Sequence, residues 1–275
     1  MSFKLRGLSK DMFDKAKNFS LQFLETLGEY INLIIEVTVS IAKKPPSWSN
    51  LREQFFNIGV LSLIVVAITG LSTGTVLAAQ SFYQLSDKGF AGITGIMVAK
   101  AMITELGPVL TALMVTGRIG SAMCAELGSM RVTEQIDALR SMAINPNSYL
   151  VAPRFIAGII MIPLLTMFSI VMGIFGGYFI AHYYFGMPTN TYFDPMPLHI
   201  SFFDIFTGII KSFVFGVLLV TICCFKGMRT RGGAAGVGKA TTHSVVISYI
   251  MILVWDFLLT IALNSIHQEL TVDTF

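Results

Sequence analysis

The chain has 275 residues, of which 54% are hydrophobic and only 13% are charged, with a formal net charge of +3. A soluble domain ordinarily carries about 25% charged residues, so this composition predicts an integral membrane protein, as does the mean hydropathy of +0.71. The basic residues cluster between apolar runs, a distribution that sets membrane topology and argues against a nucleic-acid-binding surface.

The first segment, residues 1–46, is predicted to contain an amphipathic helix that lies in the membrane interface. Polar residues recur there at steps of three and four, which places them on one face of a helix. They are Gln22, Glu25, Glu29, Asn32 and Glu36. A helix with such a polar stripe is poorly suited to span a bilayer. We expect it to end at Lys43-Lys44-Pro45-Pro46, since proline cannot continue a helix.

The second segment, residues 47–275, contains five apolar runs that are each long enough to cross a bilayer. The runs are residues 55–82, 90–122, 155–183, 202–225 and 244–266. The second run would be about 50 Å long at 1.5 Å per residue, so we expect it to tilt, break or project beyond the hydrocarbon. Gly107-Pro108 is the predicted break, and Arg118 is the predicted point where the helix leaves the lipid.

Lysine and arginine are concentrated in alternate connections, around residues 43–52, 118–154 and 226–239. Because short basic loops stay on the cytoplasmic side, this alternation predicts a cytoplasmic N-terminus and a C-terminus on the opposite side. The predicted fold is therefore an all-α integral membrane protein with an interfacial N-terminal helix and five transmembrane helices.

The charged connection after the second span is predicted to be a cytoplasmic amphipathic helix over about residues 126–143. Its charged positions are Glu126, Arg131, Glu134, Asp137 and Arg140. Steps of three residues would place the last three on one helical face. Such a helix either lies on the lipid surface or docks into a cytoplasmic ATPase, and we favour docking.

Three charged residues are predicted to lie near mid-depth on different spans: Glu105, Lys211 and Asp256. A buried charge costs several kcal/mol, so each is expected to face a partner or a wet cavity. A cluster of the three would offset that cost, and it would either contact a polar head group or only join the helices. Lys100 and Asp204 lie nearer the outer interface, where their polar ends are expected to reach water.

No cofactor or metal site is predicted. Residues 233–240, GAAGVGKA, nearly match the phosphate-binding pattern GxxxxGK[ST], but Ala240 lacks the hydroxyl that would hold magnesium. We instead expect residues 226–239 to be a flexible basic loop. The cysteines lack the spacing of a disulfide framework or zinc site, so we expect buried thiols at Cys124, Cys223 and Cys224.

Several collinear blocks resemble the MlaE/YrbE permeases, which are the membrane subunits of ABC-type lipid transporters that work with MCE-domain proteins. The blocks are ELGPVLTALMVTGRIGSAMCAELGSMRVTEQIDALRSMAINP at 105–146, APRFIAG at 152–158, IPLLT at 162–166, IKSFVFG at 210–216, GKATTHSVV at 238–246 and DFLLT at 256–260. With the amphipathic N-terminus, the resemblance covers nearly the whole chain.

The resemblance implies a homodimeric, non-catalytic permease in the inner membrane of a Gram-negative bacterium. It implies three kinds of partner. The first is an ATPase that resembles MlaF and would bind the ATP, the second is a STAS protein that resembles MlaB, and the third is a hexameric MCE protein that resembles MlaD and lies on the periplasmic side. The cargo would be glycerophospholipid moved between the inner and outer membranes, which would maintain outer-membrane lipid asymmetry.

The resemblance also implies roles for residues. Glu105, Lys211 and Asp256 match polar residues of the family's spans that are tied to transport, and residues 126–143 match its ATPase-coupling helix. The family often has arginine where this chain has Thr104. Lys100 lies one helical turn outward on the same face, and our hypothesis is that it supplies the missing base.

Two other functions stay open at this stage. An ion-coupled secondary transporter could use the three mid-depth charges as a proton or sodium relay, although the chain has no visible internal repeat of the kind that many such carriers have. Alternatively, the protein could only anchor an MCE ring.

Overall fold

The computed structural model describes residues 2–43 and 45–272. Every regular element in these residues is a helix, which confirms the predicted all-α fold. Lys44 and the side chain of Gln22, both part of the N-terminal prediction, lie outside the described residues.

Helix α1 (Ser2–Lys43) is one continuous helix, and its last residue lies two positions before Pro45, within the stretch where we expected the helix to end. Leu33 and Val37 are buried against the other helices, whereas Leu24, Ile31 and Ile35 are exposed. Such a helix presents an unburied apolar surface, as expected for a segment that lies in a membrane interface.

The polar stripe of α1 is partly used in contacts with the protein. Glu36 accepts a hydrogen bond from Asn147 Nδ2 at 2.6 Å, and Glu29 forms an ion pair with Arg229. These contacts tie α1 to the start of span 3 and to the residue that directly follows span 4.

Five helical stretches of the described residues are long and apolar enough to cross a membrane, as predicted. They are span 1 (Trp48–Ser86), span 2 (Ala91–Val132), span 3 (Asn147–Tyr183), span 4 (Phe202–Met228) and span 5 (Gly233–Glu269). Each is longer than its apolar run, because the helix continues into the polar residues at its ends.

The spans are assembled from shorter elements. Span 1 contains α2 (Trp48–Ile58), a 3₁₀ turn (Val60–Ser62) and α3 (Leu63–Ser86). Span 2 contains a 3₁₀ turn (Ala91–Ile93), α4 (Thr94–Ala101), a first π-helical turn (Met102–Leu106), α5 (Gly107–Val115), a second π-helical turn (Thr116–Gly120) and α6 (Ser121–Val132).

The remaining elements follow in chain order. Helix α7 (Gln135–Ser141) connects spans 2 and 3, and span 3 contains a π-helical turn (Asn147–Val151) and α8 (Ala152–Tyr183). The next connection holds α9 (Thr189–Phe193) and α10 (Met196–His199), span 4 is α11 (Phe202–Met228), and span 5 is most of α12 (Gly233–Val272).

Span 4 is the central helix of the bundle, and span 5 lies at its edge. Within the most apolar stretch of each, 72% of span 4 is buried but only 11% of span 5. On the other side of the bundle, spans 1 and 3 approach so closely that a Cβ added at Gly74 would lie 1.8 Å from the carbonyl oxygen of Gly173. Small residues permit this backbone contact.

The predicted helix break at Gly107-Pro108 is wrong, because span 2 stays helical through both residues. A proline lacks the N–H that would bond to the carbonyl four residues earlier. Here the preceding turn widens into a π-helix, in which the Gly107 N–H bonds to the Met102 carbonyl. The chain therefore absorbs the proline by a local change of hydrogen-bond register.

The prediction of a single amphipathic helix over residues 126–143 is also wrong, because these residues form parts of two helices. Its first part belongs to α6, which extends span 2, and its second part is the separate helix α7. Glu134, between them, has a φ of 60°, the left-handed conformation that interrupts a helix of L-residues. The turn allows Ile136 to become completely buried.

The predicted flexible loop over residues 226–239 is shorter than expected. Span 4 continues to Met228, and α12 begins at Gly233. Gly232 and Gly233 have φ values of 92° and 67°, which glycine adopts without strain. The residues that resemble a phosphate-binding loop thus form the first turns of a membrane helix.

Candidate functional site

The three mid-depth charges are brought together between spans 2, 4 and 5. Lys211 Nζ lies 2.5 Å from Glu105 Oε2 and 3.0 Å from Asp256 Oδ1. We call this group, together with Thr260, the ion cluster. Because the lysine is completely buried, the two carboxylates supply the compensation that a charge inside a membrane protein requires.

Thr260 completes the cluster, although it was not among the predicted site residues. Its hydroxyl accepts a hydrogen bond from Lys211 Nζ at 2.7 Å and lies 3.2 Å from Glu105 Oε1. It also lies 2.8 Å from the backbone carbonyl oxygen of Asp256, so its single proton has two possible acceptors. Its position four residues after Asp256 on the same helix was the signal that could have identified it.

The sequence positions Glu105 through two local features. Glu105 is part of the first π-helical turn, the one that accommodates Pro108. Span 4 then approaches this turn at Gly208, where an added Cβ would lie only 2.3 Å from the Ile103 carbonyl oxygen. Gly208 precedes Lys211 by less than one helical turn, so the close approach places the lysine within reach of Glu105.

The ion cluster contains two carboxylates and one ammonium group, so its formal charge with all three groups ionised is −1. The side chain of Glu105 is 39% exposed and that of Asp256 is 20% exposed, whereas Lys211 has no exposure. Although Asp256 Oδ1 is within ion-pair distance of the lysine, it makes no hydrogen bond among the described residues. The cation of the cluster is therefore enclosed, and Glu105 has the most exposed side chain of the three charged groups.

Lys100 is held away from the ion cluster. Its Nζ lies 3.7 Å from Asp204 Oδ2, and its side chain is 54% exposed. The Asp204 carboxylate also accepts a hydrogen bond from the Ser201 backbone N–H, which caps the start of α11.

The Lys100–Asp204 pair is separated from the ion cluster along span 4, because Asp204 precedes Lys211 by seven residues, about 10 Å along a helix. Thr104 donates a hydrogen bond to the Lys100 carbonyl oxygen at 3.0 Å, within its own helix. The hypothesis that Lys100 replaces a family arginine stays a prediction.

The predicted ATPase-coupling residues divide into two groups. Glu126 pairs with the buried Arg154 at 2.8 Å, so it joins α6 to the start of span 3. Asp137 Oδ1 accepts hydrogen bonds from Arg131 at 2.7 Å and from Arg140 at 3.3 Å. The Asp137 carboxylate therefore closes the turn between α6 and α7.

The outer surface of this turn is largely open. Arg140 is 59% exposed, Glu134 is exposed, and Met142 adds an exposed apolar side chain beside them. Four of the predicted coupling residues are exposed, namely Glu126, Glu134, Asp137 and Arg140. Of these, Glu134 forms no ion pair with another described residue, and Arg140 has the most exposed side chain of the paired ones.

The described residues contain no group of three or more His, Cys, Asp or Glu side chains that could hold a metal ion. Cys124, Cys223 and Cys224 are free and buried, as expected for small apolar side chains. The ion cluster is therefore the polar site in the membrane region on which we focus.

Comparisons with known proteins concern the chain as a whole. Residues 51–262 match the family described as permease MlaE. A probable ABC transporter permease protein of Rickettsia bellii is 37% identical over 241 residues, which cover 88% of this chain and 93% of that protein. The intermembrane phospholipid transport system permease protein MlaE of Haemophilus influenzae is also 37% identical over 241 residues, covering 87% and 92%. The chloroplastic protein TRIGALACTOSYLDIACYLGLYCEROL 1 of Arabidopsis thaliana is 36% identical over 225 residues, covering 82% and 64%.

Proposed function

The chain belongs to the MlaE permease family and is a multi-pass ABC transporter permease, and from this premise we propose that its cargo is glycerophospholipid. The observation that carries the proposal is the 37% identity, over most of both chains, to a relative named for intermembrane phospholipid transport. The transport would run between the inner and outer membranes of a Gram-negative bacterium and would maintain the lipid asymmetry of the outer membrane.

The proposed active form is a homodimer with span 5 at its centre. Span 5 is buried over only 11% of its apolar stretch in a single chain, and the partly exposed Glu105 and Asp256 lie beside it. A second copy on this face would enclose a cavity with apolar walls for acyl chains and an ion cluster from each chain. Close van der Waals packing and interhelical hydrogen bonds, and not the removal of apolar surface from water, stabilise helix pairs in membranes.

Within that cavity, we assign different tasks to the members of the ion cluster. Glu105 is the group that would contact the polar part of a lipid, because its side chain is the most exposed of the three charged groups and its carboxylate accepts hydrogen bonds. Lys211 is a positioning residue, because it is fully buried and its ammonium group is held by Glu105, Asp256 and Thr260.

ATP hydrolysis would be supplied by a partner ATPase, so the chain itself would be a non-catalytic subunit that binds no cofactor. We propose that this ATPase resembles MlaF, docks on α7 and the exposed Arg140, and carries an MlaB-like STAS protein. A hexameric MlaD-like MCE protein would bind at the opposite, periplasmic end. This arrangement requires the basic connections to be cytoplasmic and the C-terminus periplasmic.

The experiment is purification of the tagged full-length chain from its native membrane in mild detergent, followed by mass spectrometry of the bound proteins and lipids. We expect an ATPase, an MCE-domain protein and glycerophospholipid to be recovered together. An MCE protein without lipid would support a structural anchor instead, and transport that stops with a protonophore at constant ATP would support ion coupling.

A further inference from the structure

A second site lies at the other end of span 4, far from the ion cluster. A cavity of about 380 Å³ opens where α11 ends and α12 begins. Its lining includes Lys226, Arg229, Arg231, Lys239 and His243. We call it the basic cavity. Lys226 follows Lys211 by 15 residues on the same helix, so the two sites are about 22 Å apart along the helix axis.

Most of the positive charge in the basic cavity is not neutralised by the protein. Arg229 forms an ion pair with Glu29 of α1, and its guanidinium also lies 5.1 Å from the centre of the Phe225 ring. Lys226, Arg231 and Lys239 form no salt bridge with any other residue that the structure describes. The positive end of the α12 dipole adds to the same field.

An apolar groove continues directly from the basic cavity. It has a volume of about 290 Å³ and shares Thr26, Phe225 and Lys226 with that cavity. The rest of its lining comes from α1, α11 and α12, namely Leu27, Tyr30, Ile222, Ile247 and Met251. The surface therefore changes from cationic to apolar at Phe225 and Lys226.

We propose that these joined cavities bind one anionic phospholipid of the surrounding bilayer. The phosphate would occupy the basic cavity and one acyl chain would lie along the apolar groove. Charge complementarity selects a phosphate-bearing anion, and the groove selects a ligand with a hydrocarbon chain, which a free phosphate lacks. Lys226 lies in the last turn of span 4, where a membrane helix meets the lipid head groups.

The bound lipid would act as a structural link between α1 and the spans. Glu29 and Tyr30 already attach α1 to the end of span 4, through the ion pair with Arg229 and a 2.6 Å hydrogen bond between the hydroxyls of Tyr30 and Thr221. A lipid in the groove between them would fill the remaining gap. This inference concerns a resident lipid and does not depend on the cargo role proposed for Glu105.

The test uses the full-length protein in nanodiscs of phosphatidylcholine that contain phosphatidylglycerol with a diazirine in its acyl chain. After illumination, mass spectrometry of peptides should find adducts on residues 26–30, 222–226 and 247–251. Cargo bound at the ion cluster would instead label the segments around Glu105 and Asp256, so the two sites give separate signals.

The variant Lys226→Gln/Lys239→Gln removes two charges from the basic cavity. Each basic residue near an anionic lipid increases the affinity about fivefold, so we expect the loss of two to weaken labelling of these peptides roughly 30-fold. The matched control, Lys43→Gln/Arg52→Gln, removes two charges from exposed positions outside the cavity and should label like the wild type. Arg231→Gln, at an exposed turn residue, provides a milder variant if the double variant does not fold.

Blocking the groove separates lipid from free phosphate. Leu27→Trp should reduce labelling by phosphatidylglycerol, and added inorganic phosphate should compete weakly. The proposal is overturned if labelling is absent from the three segments, if the control variant loses as much labelling as the cavity variant, or if inorganic phosphate displaces the lipid completely.

Discussion

Replacing Lys211 with methionine, which has a similar length and no charge, tests whether the ion cluster holds spans 2, 4 and 5 together. The substitution leaves the carboxylates of Glu105 and Asp256 without the ammonium group that lies 2.5 and 3.0 Å from them. Removing one partner of a buried ion pair costs about 3–5 kcal/mol. Because Glu105 is 39% exposed and partly solvated, we expect the low end, about 3 kcal/mol.

The assay is thermal unfolding of the purified full-length protein in detergent. A loss of about 3 kcal/mol corresponds to a midpoint lowered by about 5 °C in a chain of this size. The control is Lys43→Met, which removes the same charge from an exposed position and should leave the midpoint unchanged. Adding Asp256→Asn to Lys211→Met should recover most of the loss, because the remaining carboxylate is the partly exposed one. The reasoning is refuted if Lys211→Met unfolds within about 1 °C of the wild type.

Three further predictions concern packing, coupling and the outer charge. Gly208→Ala should lower the unfolding midpoint, because its Cβ would lie 2.3 Å from a carbonyl oxygen of the first π-helical turn. The control Gly238→Ala has no atom within 4 Å of the added Cβ and should not destabilise the protein. Equal midpoints for the two variants would contradict the close approach of span 4 to span 2 at Gly208. Arg140→Glu should leave the assembled complex folded but uncouple ATP hydrolysis from lipid transport. Arg52→Glu, at another exposed position, is the control and should stay coupled. ATP hydrolysis that is still stimulated by lipid in Arg140→Glu would count against docking at α7. Lys100→Ala should reduce lipid transport if this residue supplies a functional base, and unchanged transport and lipid occupancy would show that it does not.

Composition and hydrophobic runs predicted most of the fold. The five spans follow from apolar length alone, and the end of α1 at Lys43 follows from the two prolines after it. These features are local, because each is decided by residues within a single segment.

The predictions at Gly107-Pro108 and over residues 126–143 were wrong because the backbone has two possible conformations there and contacts with distant residues decide between them. Pro108 permits either a break or a π-helical turn, and the packing of span 4 against that turn favours the compact choice. At Glu134, a left-handed residue ends one helix and starts another so that Ile136 can be buried. The spacing of residues on a helical face predicts neither the π-helical turn nor the left-handed residue.

The ion cluster was predictable in part. The cost of a charge in a membrane singled out Glu105, Lys211 and Asp256. Thr260 was missed because a threonine in a span carries no such cost and usually bonds to its own helix, as it also does here. The pairing of Lys100 with Asp204, rather than with the cluster, required the relative position of spans 2 and 4.

The central claim is that Glu105 contacts the lipid cargo, and ATP-dependent phospholipid transfer by the reconstituted complex tests it most directly. Glu105→Gln keeps the size of the side chain and leaves Lys211 paired with Asp256, so the complex should assemble and unfold like the wild type. We predict that its lipid transfer falls at least tenfold while the partner ATPase still hydrolyses ATP. Wild-type transfer and wild-type lipid occupancy in this variant would contradict the claim.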